Sequence, residues 1–296
     1  MSAKSGIGKA MAHHGELLQG VFDHIDGYLR RGLVSLPYPA LTSLATFTPN
    51  ARAEITVSPT GREKARRAAD LTIASFAQVR TGGHIQLVSD IPIGRGMGSS
   101  TADVLASIQA VLDYLRVFPT AEHIMRIAVD AETACDSTLF KQQAVLFAQR
   151  DGIVLEVFRK PLPALNILSV DTTPESTVST VEFEPARYCP AEIEMFRPLR
   201  SLLRKAIDSG DVRSLGRVAT ASAVINERFL PKPGLRELQA IASRYDAAGL
   251  QVAHSGTMAG LIFDPEDDRA PENMHLARKA IDALGLVSAP LKLERA

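Results

Sequence analysis

The chain has 296 residues, enough for two lobes around a shared cleft, and its 46% hydrophobic content is able to bury a substantial core. Lys plus Arg balance Asp plus Glu at 33 each, so no global field draws the protein to nucleic acid or to an anionic membrane. No run of about 18 apolar residues occurs, the N-terminal stretch MSAKSGIGKAMAHHGELLQG lacks the apolar core of a secretory signal, and Cys135 and Cys189 alone make no disulfide framework, so a reduced cytoplasmic protein is expected.

In chain order, residues 43–57 contain alternating segments, among them 53-AEITV-57, that predict strands. A helix with a basic start is expected over 62–79 and a strand over 84–89. A glycine-rich stretch, 90-DIPIGRGMGSSTAD-103, then leads into a helix from about Ser100 to Arg116, with Val104, Leu105, Ile108, Val111, Leu112 and Leu115 on one face. A second helix is expected over 121–133. Two apolar runs around Asp151-Gly152, within 144–158, predict a hairpin. The stretch 159-RKPLPA-164 reads as a lobe boundary, dividing the chain into 1–160 and 161–296. Beyond it, strand-like segments at 165–170, 251–254 and 260–263 mix with helices near 191–208, 211–221, 234–247 and 272–284. There is no regular βαβ rhythm, so the expected class is α+β with two lobes.

Glycines at alternate positions (Gly94, Gly96, Gly98) just before a helix expose closely spaced backbone N–H groups at the positive end of the helix dipole. That arrangement suits a large anion, and Ser99 and Ser100 would cap the helix or ligate a phosphate-bound cation. A plain turn with a serine cap explains the glycines taken alone. The stretch has neither the lysine of a P-loop nor the third glycine of a dinucleotide fingerprint. Further on, 131-AETACDSTLFKQ-142 places Glu132 and Asp136 four residues apart, on one face if the helix continues.

The stretch PIGRGMGSSTAD resembles the phosphate loop of the GHMP kinases, and two other stretches, 12-AHHGELLQG-20 and 251-QVAHSGTMAGLIF-263, resemble the family's first and third motifs in the expected order. The resemblance implies a two-lobed α+β fold, with a ribosomal protein S5 domain 2-like N-terminal lobe and a ferredoxin-like C-terminal lobe. It implies ATP and Mg2+ as cofactors, with a small hydroxylated substrate, no nucleic acid or membrane partner, and a monomer or homodimer. Carried over residue by residue, Pro92, Gly94, Arg95, Gly96, Met97, Gly98, Ser99, Ser100 and Thr101 would bind ATP, with Ser100 and Glu132 as magnesium ligands. Asp136 would be the base or the group that orients the acceptor hydroxyl. His14, Gly15, Glu16 and Gln19 from the first motif, and His254, Ser255, Gly256 and Thr257 from the third, would line the acceptor.

Within the superfamily, GELLQG, the glycine loop, the Glu132–Asp136 segment, FLPKPG at 229–234 and GLQVAHSG at 249–256 are together most similar to the L-threonine kinase branch of cobalamin biosynthesis. The expected reaction is therefore phosphorylation of the side-chain hydroxyl of L-threonine or a close relative. Members of that branch carry a cysteine where this chain has His14, and an imidazole there would favour a different hydroxylated amino acid or a more anionic substrate. A homoserine-, hydroxy-acid- or sugar-like acceptor, and a non-catalytic nucleotide-binding relative, are the alternatives. Lys232, between two prolines, reads either as a contact to a substrate anion or as an exposed helix-entry lysine, and His13-His14 as too few ligands for a metal.

Overall fold

A computed structural model of the chain describes residues 5–79, 81–140, 143–175 and 186–294. The elements run β1 (Gly6–Asp23), β2 (Leu29–Asn50), β3 (Ile55–Ser58), α1 (Glu63–Phe76), β4 (Gly82–Ser89), α2 (Ser99–Leu115), α3 (Ala121–Glu132), β5 (Val145–Ala148) and β6 (Ile153–Val157). They continue with β7 (Leu165–Asp171), α4 (Pro190–Ser209), α5 (Val212–Asn226), α6 (Leu235–Arg244), β8 (Gly249–Val252), β9 (Met258–Phe263), α7 (Ala270–Asp282) and β10 (Val287–Leu293). The expected helices and the 144–158 hairpin are all present with shifted ends. The class is α+β.

The strands form one sheet in the order β10-β7-β9-β8-β1-β2-β4-β3, with the β5–β6 hairpin attached to β2. Residues before and after the 159–164 connector share this sheet, because β1 pairs with β2 along nearly its whole length and touches β8 at Glu16–Val252. Neither the long β1–β2 ribbon nor β10 is apparent from periodicity. The first turns of β1 alternate buried and exposed, but from Ala12 to Gly20 every residue is buried, since helices and strands cover both faces. An alternation signal needs one wet face. In β10 a proline, Pro290, stands in the strand, and it is accommodated because β10 is the sheet edge.

Among the described residues, three packed regions hold the molecule. One lies between β1, β2, β4 and helices α1–α3, around Phe47, Ile85, Leu105, Ile108 and Met125. Another packs α4 and α5 on β1 and β2 through Leu18, Phe22, Phe196 and Leu215, and the third sets α6 and α7 on β7–β9 around Leu238, Leu261 and Phe263. Helix α2 is buried along most of its length because it crosses β1 and β2 while α1 and α3 flank it. Burying a leucine or phenylalanine stabilises by about 1.5–3 kcal/mol, so α2 is anchored far more firmly than its propensity alone would hold it. No helix among the described residues is long and apolar enough to cross a membrane.

Candidate active site

The glycine stretch is a turn closed against two neighbours. Gly94, Gly96 and Gly98 all have positive φ, at 73°, 81° and 73°. The turn is clamped on one side by β1, where the His13 N–H donates to the Met97 carbonyl at 3.1 Å. On the other side the N–H groups of Thr257 and Met258 donate to the Arg95 carbonyl at 3.1 and 3.3 Å. A Cβ on Gly96 would lie 1.6 Å from the Ser255 carbonyl oxygen, so the turn and the 253–257 bend can approach only without side chains. Gly98 is the N-cap of α2 and offers no side-chain cap, which leaves the first backbone N–H groups of α2 at the turn without a side-chain partner.

Side chains of the turn divide by direction. The Arg95 guanidinium pairs with Asp171 at 3.0 Å and donates to the carbonyls of Thr173 and Pro174 at 3.2 and 2.5 Å. Met97 is buried in the first core, Pro92 is exposed, and Ser99 is half-buried. Ser100 and Thr101 donate to the two oxygens of Glu132, at 2.7 and 2.6 Å. Cys135 donates to Glu132 at 3.1 Å, and the Lys64 ammonium lies 3.7 Å away. Burial pushes the Glu132 carboxyl up, and the hydroxyls and Lys64 pull it back down in part. A hydroxyl and a carboxylate joined in this way, beside the start of a helix, are the oxygen donors a hard divalent cation takes.

α3 ends at Glu132 instead of running through Asp136, because Thr133 takes a left-handed conformation with φ of 78°. Glu132 and Asp136 therefore do not share a helix face, and each meets a different partner. Asp136 Oδ2 lies 3.1 Å from His13 Nε2, and Glu16 Oε1 lies 3.4 Å from His13 Nδ1. A Cβ on Gly98 would stand 2.5 Å from His13 Cδ2 and 3.1 Å from Asp136 Oδ2, so this pair faces the last glycine of the turn. His13 is deeply buried; burial opposes its charge, but Asp136 and then Glu16 outweigh that and raise it to about 9. Burial likewise works against the Asp136 carboxylate, and His13 overrides it, holding Asp136 below the usual range. Glu16 is pushed up by burial, and His13 only partly restores it.

This triad exists because β1 breaks its register. Pairing with β2 shifts between His13 and Glu16, and Gly15 takes φ of 72° with no room for a Cβ beside Gln251. As neighbours on a strand, His13 and His14 face opposite sides. His14 is fully buried and donates from Nε2 to Ser169 Oγ at 2.7 Å while accepting from Gln251 Nε2 at 2.7 Å; burial lowers it to about 4, a neutral imidazole. Gln19 accepts at Oε1 from His254 Nδ1 at 2.6 Å, and burial likewise lowers His254 to about 4. His254 lies close enough to Asp136 to feel its charge, whereas Ser255, Gly256 and Thr257 form the bend against the glycine turn. Lys232 is buried instead of exposed, donates to the Leu230 carbonyl at 3.4 Å, and is lowered by burial to about 8.

His13 is the site residue that sequence reasoning passed over. Its one signal was its position three residues before Glu16, and only the bulge turns that spacing into contact. Lys64 was equally hidden: the basic start of α1 is visible, but its meeting with Glu132 across α2 is not. Of the 131–142 segment, residues 141 and 142 lie outside the described residues.

Residues 63–142 match the family described as GHMP kinases N terminal domain, and residues 203–274 match GHMP kinases C terminal, together just over half of the chain. Over 183 residues the chain is 30% identical to an L-threonine kinase from Salmonella typhimurium, a match covering 61% of this chain. The chain thus spans 59% of the length of that curated relative. A crystal structure of homoserine kinase from Cytophaga hutchinsonii superposes with a TM-score of 0.68 at 16% identity, covering 99% of this chain and 95% of the other. A solved complex described as MDDEF with MVAPP, AMPPCP and magnesium does so with a TM-score of 0.68 at 16% identity, covering 98% and 100%. At such identities these two structures show a shared fold.

Proposed function

The chain belongs to the GHMP kinases, and from that premise we propose that it transfers the γ-phosphoryl group of ATP to the side-chain hydroxyl of L-threonine or a closely related hydroxylated amino acid. The products are the O-phospho compound and ADP. One observation carries the reading: an ionised carboxylate, Asp136, faces the last glycine of an anion-cradling turn whose other flank carries the Ser100–Glu132 oxygen pair.

The residues present fit a magnesium ion at Ser100 and Glu132, and bound there it supplies charge neutralisation at the phosphates. The backbone of Gly94–Ser99 and the start of α2 would hold the phosphates. Asp136 accepts a hydrogen bond from the acceptor hydroxyl and aims its oxygen at the phosphorus. In the transfer, the acceptor oxygen bonds to the γ-phosphorus, the bond from that phosphorus to the ADP oxygen breaks, and the hydroxyl proton leaves through Asp136 or water. Because His13 holds Asp136 ionised and weakly basic, positioning is its larger contribution. Glu16, Gln19 and His254 surround the acceptor, with neutral His254 as a hydrogen-bonding wall.

Purified protein with Mg-ATP and a panel of L-threonine, L-serine, homoserine, hydroxy acids and simple sugars tests this through ADP release and product mass. O-phosphothreonine well above the other products is the expected result. Turnover of a sugar or hydroxy acid alone would retain the reaction and overturn the acceptor. Absence of ATP binding would overturn the kinase reading.

A further inference from the structure

Helix α1 begins beside the start of α2, and between them lies a cavity of about 330 Å3, lined by residues 61–65 and by Ser100 and Asp103 of α2. It adjoins the oxygen pair of the site, because Ser100, which lines it, donates to Glu132 Oε2 at 2.7 Å. Of the charged side chains on this cavity, most are already committed. The Arg62 guanidinium pairs at 3.0 Å with Asp103, whose other oxygen accepts from Ser43 at 2.6 Å. Glu63 accepts from Arg66 at 2.7 Å.

Lys64 is held differently. Its ammonium lies 3.7 Å from Glu132 Oε2, the same oxygen to which Ser100 donates. That separation is too long for a hydrogen bond. The side chain is 38% exposed, and among the described residues Glu132 is its one ion-pair partner. Such a pair contributes little and is easily exchanged. The ammonium is also no further from Ser100 Oγ than the sum of those two distances. It therefore stands beside the two oxygens that a divalent cation would bind, and two cations sharing Oε2 would repel each other. Before a metal arrives, Lys64 neutralises a buried carboxylate that would otherwise be costly.

Resting on the kinase reading above, we infer that Lys64 is a displaceable counter-ion and a phosphate-binding residue. On metal binding at Ser100 and Glu132 it gives up Glu132 Oε2 and turns on its flexible stem to the phosphates of the nucleotide at the start of α2. The glycine turn offers those phosphates backbone N–H groups, and Lys64 adds a full positive charge from the α1 side. The exchange makes and breaks no covalent bond.

The test uses the full chain and two binding measurements that need no turnover. Water-proton relaxation with Mn2+ alone reads the cation site. Lys64→Met removes the competing charge and keeps the stem, and Mn2+ affinity should rise about threefold or more, the scale of a part-exposed charge pair. Calorimetric titration of ATP in the presence of a chelator reads the phosphate contact. There Lys64→Met should bind about tenfold or more weakly, through the loss of a charge-assisted contact. Lys64→Arg keeps the charge and should stay within about threefold of the unsubstituted protein in both measurements. Effects of opposite sign distinguish this role from a structural one, because a disturbed α1 would weaken both ligands. Weakening of both, or an unchanged affinity for either, overturns the inference and leaves the kinase reading intact. Failure of the unsubstituted protein to bind ATP overturns the kinase reading itself, and this inference with it.

Discussion

His13 lies 3.1 Å from Asp136 through one ring nitrogen and 3.4 Å from Glu16 through the other, so none of the three changes charge alone. Removing Asp136 as Asp136→Ala should lower kcat by about a hundredfold or more, the scale of a positioned acid–base group, measured by ADP release at saturating ATP. His13→Gln keeps a hydrogen-bond donor for Asp136 but removes the cation, and it should lower kcat by about tenfold or more while shifting the pH profile. His13 is raised from 6.5 to about 9 on folding, so the stability it contributes is complete below pH 6.5 and is lost as pH rises through about 9. Glu16, also raised, acts in the same direction, because its protonated form is favoured in the folded state. Asp136 acts oppositely, and its contribution is lost as pH falls through its lowered value. Urea unfolding at a series of pH values should show stability falling between pH 6.5 and 9, and that slope should flatten in His13→Gln. An unchanged slope would remove the imidazolium from this account.

At the scale of the element, the turn and α2 act as one unit. The glycines let the turn pass under the Ser255 carbonyl, and α2 cannot shift because its sides are packed from Ala102 to Leu112. Gly96→Ala introduces a Cβ 1.6 Å from that carbonyl at a φ of 81°. The left-handed conformation alone disfavours a non-glycine residue by about 1–2 kcal/mol, and the contact adds to it. Urea unfolding should show at least that loss, and a nucleotide-binding titration should show ATP affinity reduced at least tenfold as the turn is displaced. Wild-type ATP affinity in a folded Gly96→Ala protein would exclude the turn as the phosphate cradle.

Taken whole, the molecule joins its two halves through β1. One strand carries the bulge that places His13 and Glu16, pairs with β2 along one edge and meets β8 on the other. The 253–257 bend, which follows β8, closes on the glycine turn, which follows β4. Ligands at this meeting should therefore stabilise the entire fold. Saturating Mg-ATP, at about a hundredfold over its Kd, should add about 2.7 kcal/mol to the unfolding free energy, read by denaturant titration. Glu132→Gln should lose most of the difference between ATP with magnesium and ATP with a chelator. An equal effect of ATP under both conditions would place the cation elsewhere.

Local chemistry was sufficient for much of this. The apolar stripe of α2, the Asp151-Gly152 hairpin and the alternate glycines at 94, 96 and 98 each have a short-range physical cause, and each is found where its residues predict it. The order of the three motifs was enough to indicate the family. Other features required the tertiary structure, because their causes are long-range. Burial of both faces of β1 erased its alternation, and the left-handed turn at Thr133 moved Asp136 off the helix that carries Glu132. The bulge at Gly15 brought Glu16 to the same side as His13, which sits between two carboxylates while His14 on the opposite face meets Ser169 and Gln251. A residue's charge state depends on what is packed around it, and packing is decided by strands that are far apart in the chain.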